Sequence, residues 1–359
     1  MRILIATDAW RPQINGVVRT YENLRNALEE SGHDVIVLSP SDFMTLPCPG
    51  YREIRLAVPN MRRISEYVLR SGVEHVHIAT EGPIGWATRA ICLRYGVRFT
   101  TSFHTRFPEY LETYIGLPAS ISYHVQRRFH RRSMGTFVAT PSLKTELERR
   151  GFERLMLWSR GVDTTLFHPR SNAERNTAMP TFLYVGRVSP EKNIGAFLDL
   201  DLPGRKVVIG DGPLLNMLRE QHPDVEFKGA KTGDALAAEY AAADVFVFPS
   251  RTDTFGLVML EAMASGLPIA AFPVMGPIDI VTPGLTGVLS EDLREAALQA
   301  LELDPLKVRA EAKNFDWSSV GEIFIDNVYR ARGAARPSGR SVKAKGKSPQ
   351  IKGSPKPIA

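Results

Sequence analysis

DVFVFPSRTDTFGLVMLEAMASGLPIAAF, residues 244–272, reads as strand, loop, helix and strand in one short run. DVFVFPS and LPIAAF carry the apolar pattern of buried strands, and Leu257 to Ala264 is a helix-forming stretch entered at Gly256. Two buried strands joined through a helix imply a parallel pair. Asp253 and Glu261 stand eight positions apart and frame the first turns of that helix. The amides at a helix N-terminus lack intrahelical partners, and with the helix dipole they favour an anion. Carboxylates repel phosphate but accept hydrogen bonds from hydroxyls. Anion and polyol together describe a sugar or ribose joined to phosphate.

The same alternation extends in both directions. RILIATD (2–8), HDVIVLSP (33–40), REIRLAV (52–58), VEHVHIA (73–79), RFTTSFH (98–104) and TFVATP (136–141) are strand-like, with helical stretches between most of them. Pro, Asn, Arg and Ser then interrupt the apolar rhythm over 167–180, and a linker is expected near 163–180. TFLYVGR restarts the alternation, followed by RKVVIGDGP, VEFKGA, DVFVFPS, LPIAAF and TGVLS. The expected fold class is α/β, with two doubly wound, Rossmann-like domains whose ligands bind at the carboxyl ends of the strands, in a central cleft. The boundaries read as 1–165 for an acceptor-binding domain and 166–312 for a nucleotide-sugar domain. A C-terminal helix over 313–330 is expected to return to the first domain, and a disordered basic tail occupies 331–359.

The composition agrees with this. A chain of 359 residues is long enough for two cores, and 43% hydrophobic with 23% charged residues is ordinary for a globular protein. No apolar run approaches the roughly 20 residues of a bilayer span, and no signal-peptide pattern opens the chain. Cys48 and Cys92 have no metal-ligand spacing, which fits a reducing cytoplasm. The net charge of +6 comes from the tail: residues 331–359 hold eight Lys or Arg and no acid, and the rest of the chain sums to −2. That tail is either a solvating end or an electrostatic tether to anionic lipid. With no aromatic side chain among its cations to stack on bases, nucleic acid is not the expected partner.

Four further segments follow strand-like runs. Gly16, in INGVVRT, enters a helix and permits close approach of a ligand phosphate, though a strand-to-helix turn also needs glycine to bend. SFHTRFPEY carries His104 and Arg106 at a strand end. YVGRVSPEKNI delivers Arg187 and Lys192 into one loop, five positions apart, as a diphosphate clamp or as a solvated basic loop. Gly210 and Gly212, in VVIGDGPLL, give part of a dinucleotide fingerprint without its third glycine. No His-Glu-x-x-His and no Gly-x-Ser-x-Gly occurs, so neither a catalytic metal nor a hydrolase elbow is expected.

ASISYHVQRRFHRR, residues 119–132, places Ile121, Val125 and Phe129 at spacings of four, with Arg127, Arg128, Arg131 and Arg132 on the flanks. This suits a helix lying on an anionic membrane, and equally a core-packed helix with a basic solvent face. Apolar Tyr114, Ile115 and Leu117 nearby would favour the membrane.

Taken in order, GRVSPEKN, IGDGP and DVFVFPSRTDTFGLVMLEAMASGLP resemble the retaining nucleotide-sugar glycosyltransferases of family four, which have the GT-B fold. The resemblance runs from Met1 to about Arg330. It implies that Glu261 binds ribose hydroxyls, that Asp253 meets the transferred sugar, and that the amides of Phe255, Gly256 and Leu257 approach sugar and phosphate. It further implies that Arg187 and Lys192 hold the diphosphate, helped by the backbone at Gly16, and that His104 lies on the acceptor side. Many relatives carry Glu where this chain has Asp253, which separates the sugar preference from the family pattern. No cofactor or metal is implied beyond the nucleotide sugar itself as co-substrate. The leaving phosphate would serve as the base.

SRTDTFGLVMLEA and HTRFPEY resemble most closely the bacterial enzymes that glycosylate membrane lipids. The implied activity is transfer of glucose or glucuronic acid from UDP to diacylglycerol, on the inner face of the bacterial cytoplasmic membrane. The alternative is a GDP-mannose-dependent mannosyltransferase acting on phosphatidylinositol or a glycan. A non-hydrolysing sugar-nucleotide epimerase is a more remote one.

Overall fold

A computed structural model describes residues 1–13, 15–48, 51–70, 72–104, 118–169 and 179–333. Arg106, Tyr114, Ile115, Leu117, much of the expected linker and the tail beyond Gly333 lie outside the described residues. The chain divides into two compact units, Met1–Arg160 with the segment from Trp317, and Gly161–Asp316 between them.

In the first unit, β1 (Arg2–Ala6), β2 (Asp34–Leu38), β3 (Thr45–Cys48), β4 (Tyr51–Ala57), β5 (His75–Ile78), β6 (Phe99–Phe103), β7 (Thr136–Val138) and β8 (Leu155–Leu157) follow in sequence. Six of them form a parallel sheet in the order β2-β1-β5-β6-β7-β8. Helices cover both faces, so the strands are apolar throughout and Ile3, Leu4 and Ile5 are fully buried. Each such side chain contributes roughly 1.5–3 kcal/mol by leaving water.

Two departures from the sequence reading occur here. REIRLAV is a strand, but it pairs antiparallel with Thr45–Cys48 in a separate two-stranded ribbon. Its alternating Arg55 and Leu56 suit a ribbon with one wet face better than a doubly covered sheet. The sixth strand, Leu155–Leu157, is only three residues long and gives too little periodicity to be seen in the sequence.

The helix Trp317–Ala331 closes the first unit against the helix Gly16–Glu30. Gly321 permits the approach, since a Cβ there would meet Ala27 at 3.4 Å. Phe324 and Trp158 pack together with ring centres 5.2 Å apart, and Trp158 Nε1 donates to the Val320 carbonyl at 3.2 Å.

The second unit repeats the scheme with β9 (Thr181–Val185), β10 (Arg205–Ile209), β11 (Glu226–Phe227), β12 (Val245–Phe248), β13 (Ile269–Ala271) and β14 (Gly287–Leu289). Their order, β11-β10-β9-β12-β13-β14, is parallel throughout. Both units are Rossmann-like. The strand order reverses between β1 and β5 in the first sheet and between β9 and β12 in the second, and crevices for ligands open at such points.

Candidate functional site

The second unit's crevice is built from the loops after β9 and β12. Leaving β9, the chain passes Gly186 and Arg187, and the Tyr184 hydroxyl donates to the Arg187 carbonyl at 2.8 Å. Burial, with the charges of Asp253 and Glu191, raises the pKa of that hydroxyl and keeps it a donor. The backbone of 186–188 is laced to the loop after β10 through Gly186 N to Ile209 O (3.0 Å) and Val188 N to Asp211 O (2.9 Å). Gly210 and Gly212 make this possible. A Cβ at Gly210 would lie 1.8 Å from the Gly186 carbonyl oxygen, and one at Gly212 would lie 2.3 Å from that of Val188. Close packing of two loops therefore accounts for this Gly-x-Gly without any ligand.

After a short 3-10 turn, Pro190–Lys192, Asn193 adopts a left-handed conformation and donates to the Pro249 carbonyl at 3.0 Å. Thr252 Oγ1 donates to the Glu191 carbonyl at 3.1 Å. These two ties bring the loop after β9 to the loop after β12, and Lys192 Nζ reaches Asp253 Oδ1 at 2.5 Å. The other carboxylate oxygen, Asp253 Oδ2, is buried without a hydrogen-bond partner among the described residues. A buried acceptor left unmatched is costly unless a ligand supplies the donor.

The helix Leu257–Ala264 begins at the expected residue. Gly256 holds φ +85°, with Phe248 and Met259 filling the place of its missing side chain. Its N-cap is a glycine, so no N-cap side chain takes the amides of its first turn. Phe255 is buried beside it, while Gly256 and Leu257 are half-buried. Glu261 sits one turn further on, buried, and accepts from the hydroxyl of the buried Tyr240 at 2.9 Å. Arg187 is exposed, earlier in the same loop that carries Lys192. The structure thus gathers Lys192, Asp253 and the helix N-terminus at one switch point.

In the first unit, His104 is half-buried at the end of β6. Its Nε2 lies 2.9 Å from the Tyr21 hydroxyl, and its Nδ1 lies 3.0 Å from Arg160 Nη2. Burial first, and then the Arg160 charge, hold its pKa well below the usual value, so the ring is neutral. At the switch point of this unit Asp8 accepts from Thr80 Oγ1 (2.8 Å), Ile84 N (2.7 Å) and Gly85 N (3.2 Å), and so caps the helix Pro83–Arg94. Gly16 opens its helix behind Asn15, whose Oδ1 takes the amides of Val17 and Val18, each at 3.0 Å. Those two amides are committed within the protein.

The basic segment folds as the helix Ala119–His130. Arg127, Arg128, Arg131 and Arg132 are exposed, as are Ile121 (52%) and Val125 (47%). Phe129 must be corrected as a surface residue: it is fully buried and packs edge-on against Trp86, with ring centres 5.0 Å apart. Positions four apart advance by about 40° around a helix, so Phe129 lies about 80° from Ile121 and turns inward.

Among the described residues no cluster of His, Cys, Asp or Glu could hold a metal, and no helix is long and apolar enough to cross a membrane. Tyr21, Arg160 and Tyr240, which contact the expected site residues, escaped the sequence reading. Arg160 follows a strand too short to register, and the two tyrosines lie in helices whose local pattern says nothing of their partners.

Two Rossmann-like units of this kind are the architecture of the GT-B glycosyltransferases. Residues 14–166 match the model of glycosyltransferase family 4, and residues 179–303 match that of group 1 glycosyl transferases. The chain is 32% identical over 333 residues to a GDP-mannose-dependent alpha-mannosyltransferase of Mycolicibacterium smegmatis, covering 84% of this chain and 87% of that protein. It is 29% identical over 363 residues to the sulfoquinovosyl transferase of Arabidopsis thaliana (89% and 71% covered). It is 27% identical over 354 residues to the alpha-monoglucosyldiacylglycerol synthase of Streptococcus pneumoniae (85% and 79% covered). Among solved structures, sucrose-phosphate synthase from Thermosynechococcus elongatus aligns with a TM-score of 0.73 at 22% identity, over 92% of this chain and 99% of that one. The chain belongs to the family 4, group 1 glycosyltransferases, and it is an enzyme of that kind.

Proposed function

We propose that this glycosyltransferase moves glucose or glucuronic acid from UDP to diacylglycerol, with retention and without a resident metal. The observation that carries the transfer reading is the Lys192–Asp253 pair at a helix start whose N-cap is glycine. Charge builds on the diphosphate as the glycosidic bond breaks, and Lys192, Arg187 and the first-turn amides would offset it. Asp253 Oδ2, buried and unmatched, would accept from a hydroxyl of the sugar. Glu261, held by Tyr240, would accept from the ribose. The acceptor hydroxyl attacks the anomeric carbon on the face the nucleotide leaves, and its proton passes to the departing phosphate. His104 then stands on the acceptor side as a neutral group.

The lipid acceptor is supported by the outer surface of the first unit. No Asp or Glu occurs from Gly82 to His104 or from Pro118 to Thr145, while exposed Arg94, Arg127 and Arg128 lie on the helices Pro83–Arg94 and Ala119–His130. Exposed Ile121 and Val125 give the same surface an apolar component. Guanidiniums beside apolar side chains suit a bilayer of anionic headgroups, with the enzyme peripheral on the cytoplasmic face. A second reading, GDP-mannose as donor, is favoured by the relative at 32% identity.

The test offers UDP-glucose, UDP-glucuronic acid and GDP-mannose separately to the full chain with phosphatidylglycerol vesicles that contain diacylglycerol or phosphatidylinositol. Mass spectrometry should find a hexosyl- or hexuronosyl-diacylglycerol. A mannosylated product from GDP-mannose alone would replace the first reading by the second. Release of UDP without any glycolipid would remove the lipid acceptor.

A further inference from the structure

Arg160 is a cation placed where cations are costly. It is 4% exposed, and among the described residues no carboxylate lies within ion-pair distance of it. Its guanidinium lies over the Trp158 ring, 4.5 Å from the centre, and Nη1 donates to the carbonyls of Trp158 (2.8 Å) and Ser159 (3.3 Å). The remaining contact is Nη2 to His104 Nδ1 at 3.0 Å. Burial lowers its pKa to about 10, which still leaves it charged at neutral pH.

A guanidinium can only donate, and this sets the direction of its bond to His104. His104 Nδ1 must accept, so the ring proton sits on Nε2 and is donated to the Tyr21 oxygen, 2.9 Å away. Beyond it, His77 Nε2 lies 3.0 Å from both the Tyr21 and the Ser102 hydroxyl. Thr100 Oγ1 joins the chain onward, 2.8 Å from both His77 Nδ1 and His75 Nε2. The bond from Arg160 thus fixes the tautomer of His104. His104, His77 and His75 are all held neutral, in each case chiefly by burial. Among the described residues, the charged or titratable groups acting on His104 are Arg160, His77 and His130.

We propose that Arg160 is a positioning residue for sugar transfer, which fixes the tautomer and orientation of His104 by donating to its Nδ1. The proposal rests on the reading of His104 as the group beside the reacting sugar. With Nδ1 taken by Arg160 and the Nε2 proton by Tyr21, the ring does not titrate during turnover. The acceptor's proton must then leave by another route, and the departing phosphate provides one.

The test combines histidine side-chain ¹⁵N NMR on the full chain with steady-state transfer to diacylglycerol vesicles. In the wild type His104 Nδ1 should be unprotonated. Arg160→Met should protonate it or set it exchanging, and should lower kcat by about 10- to 100-fold with donor KM nearly unchanged, the scale seen when an outer-shell partner of a histidine is lost. Arg160→Lys keeps an obligate donor and should restore both the tautomer and most of kcat. Tyr21→Phe should leave Nδ1 unprotonated, because Arg160 still donates to it. Should Arg160→Met fail to fold, the Lys and Phe variants still decide the matter: a tautomer that follows Tyr21 and ignores Arg160 overturns the proposal. So does an altered tautomer with unchanged kcat, which would leave the donor and acceptor assignment standing. Absence of any glycolipid from the wild type would instead sink the proposed function, with the NMR result still readable.

Discussion

The crevice between β1 and β5 and the crevice between β9 and β12 occupy the same place in two similar sheets, yet their polar groups are arranged oppositely. In the first unit the groups satisfy one another. Asp8 takes three donors from the segment after β5, and Asn15 takes the two leading amides of the following helix. In the second unit Lys192 and Asp253 pair through one carboxylate oxygen while the other stays buried and unmatched, and the adjacent helix starts behind a glycine N-cap. A Rossmann crevice becomes a binding site only where its own chain leaves donors and acceptors unspent. That contrast is why we propose the second unit as the half that binds the donor.

The contrast breaks most readily at Lys192. Lys192→Ala should lower kcat with saturating donor by about 10²–10³-fold, the usual loss when one preorganised group at a developing anion is removed. The acceptor KM should hardly move. Turnover within a few-fold of wild type would mean that the pair with Asp253 is structural.

The histidines offer a second break. His75, His77 and His104 all belong to the first unit, and their folded pKa values lie below the unfolded value of 6.5, with His75 at about 3. The folded unit therefore refuses protons that the unfolded chain accepts. Stability is complete above pH 6.5 and declines as pH falls below it, by about 1.4 kcal/mol per pH unit for each ring. The second unit has no comparable trio among its described residues. All four tryptophans, Trp10, Trp86, Trp158 and Trp317, lie in the first unit, so their fluorescence reports its melting alone. The midpoint should drop steadily from pH 7 to pH 5. A constant midpoint would show that these rings are solvated.

How much of this can be read in the sequence depends on distance along the chain. The helix Leu257–Ala264 is legible because an apolar run and one glycine define it locally. The strands are legible for the same reason, and the parallel, doubly wound class follows from their alternation with helices. The Lys192–Asp253 pair joins residues 61 positions apart, and sequence can only nominate its members separately. The support of Glu261 by Tyr240 and of His104 by Arg160 is hidden in the same way, since it depends on how helices and strand ends meet. Phe129 shows a different limit. A spacing of four looks like one stripe over a single turn and drifts off it over two.

The smallest effect sharpens the comparison from the other side. Asn15 Oδ1 accepts from Val17 N and Val18 N, so Asn15→Ala should cost about 1 kcal/mol of stability, the ordinary loss for an N-cap. Thermal melting of the tryptophan signal measures this directly, and calorimetric titration with UDP measures nucleotide affinity on the same variant. If Asn15 merely caps its helix, the midpoint falls and the affinity is unchanged, because the amides it covered were never offered to phosphate. If removing the cap strengthens UDP binding, the amides behind Gly16 compete for the diphosphate once freed, and the cap becomes a gate on the first unit's share of the donor. If UDP binding weakens with no loss of stability, Asn15 itself touches the nucleotide. The donor site would then draw on both units, and the division between a spent crevice and an unspent one would fail.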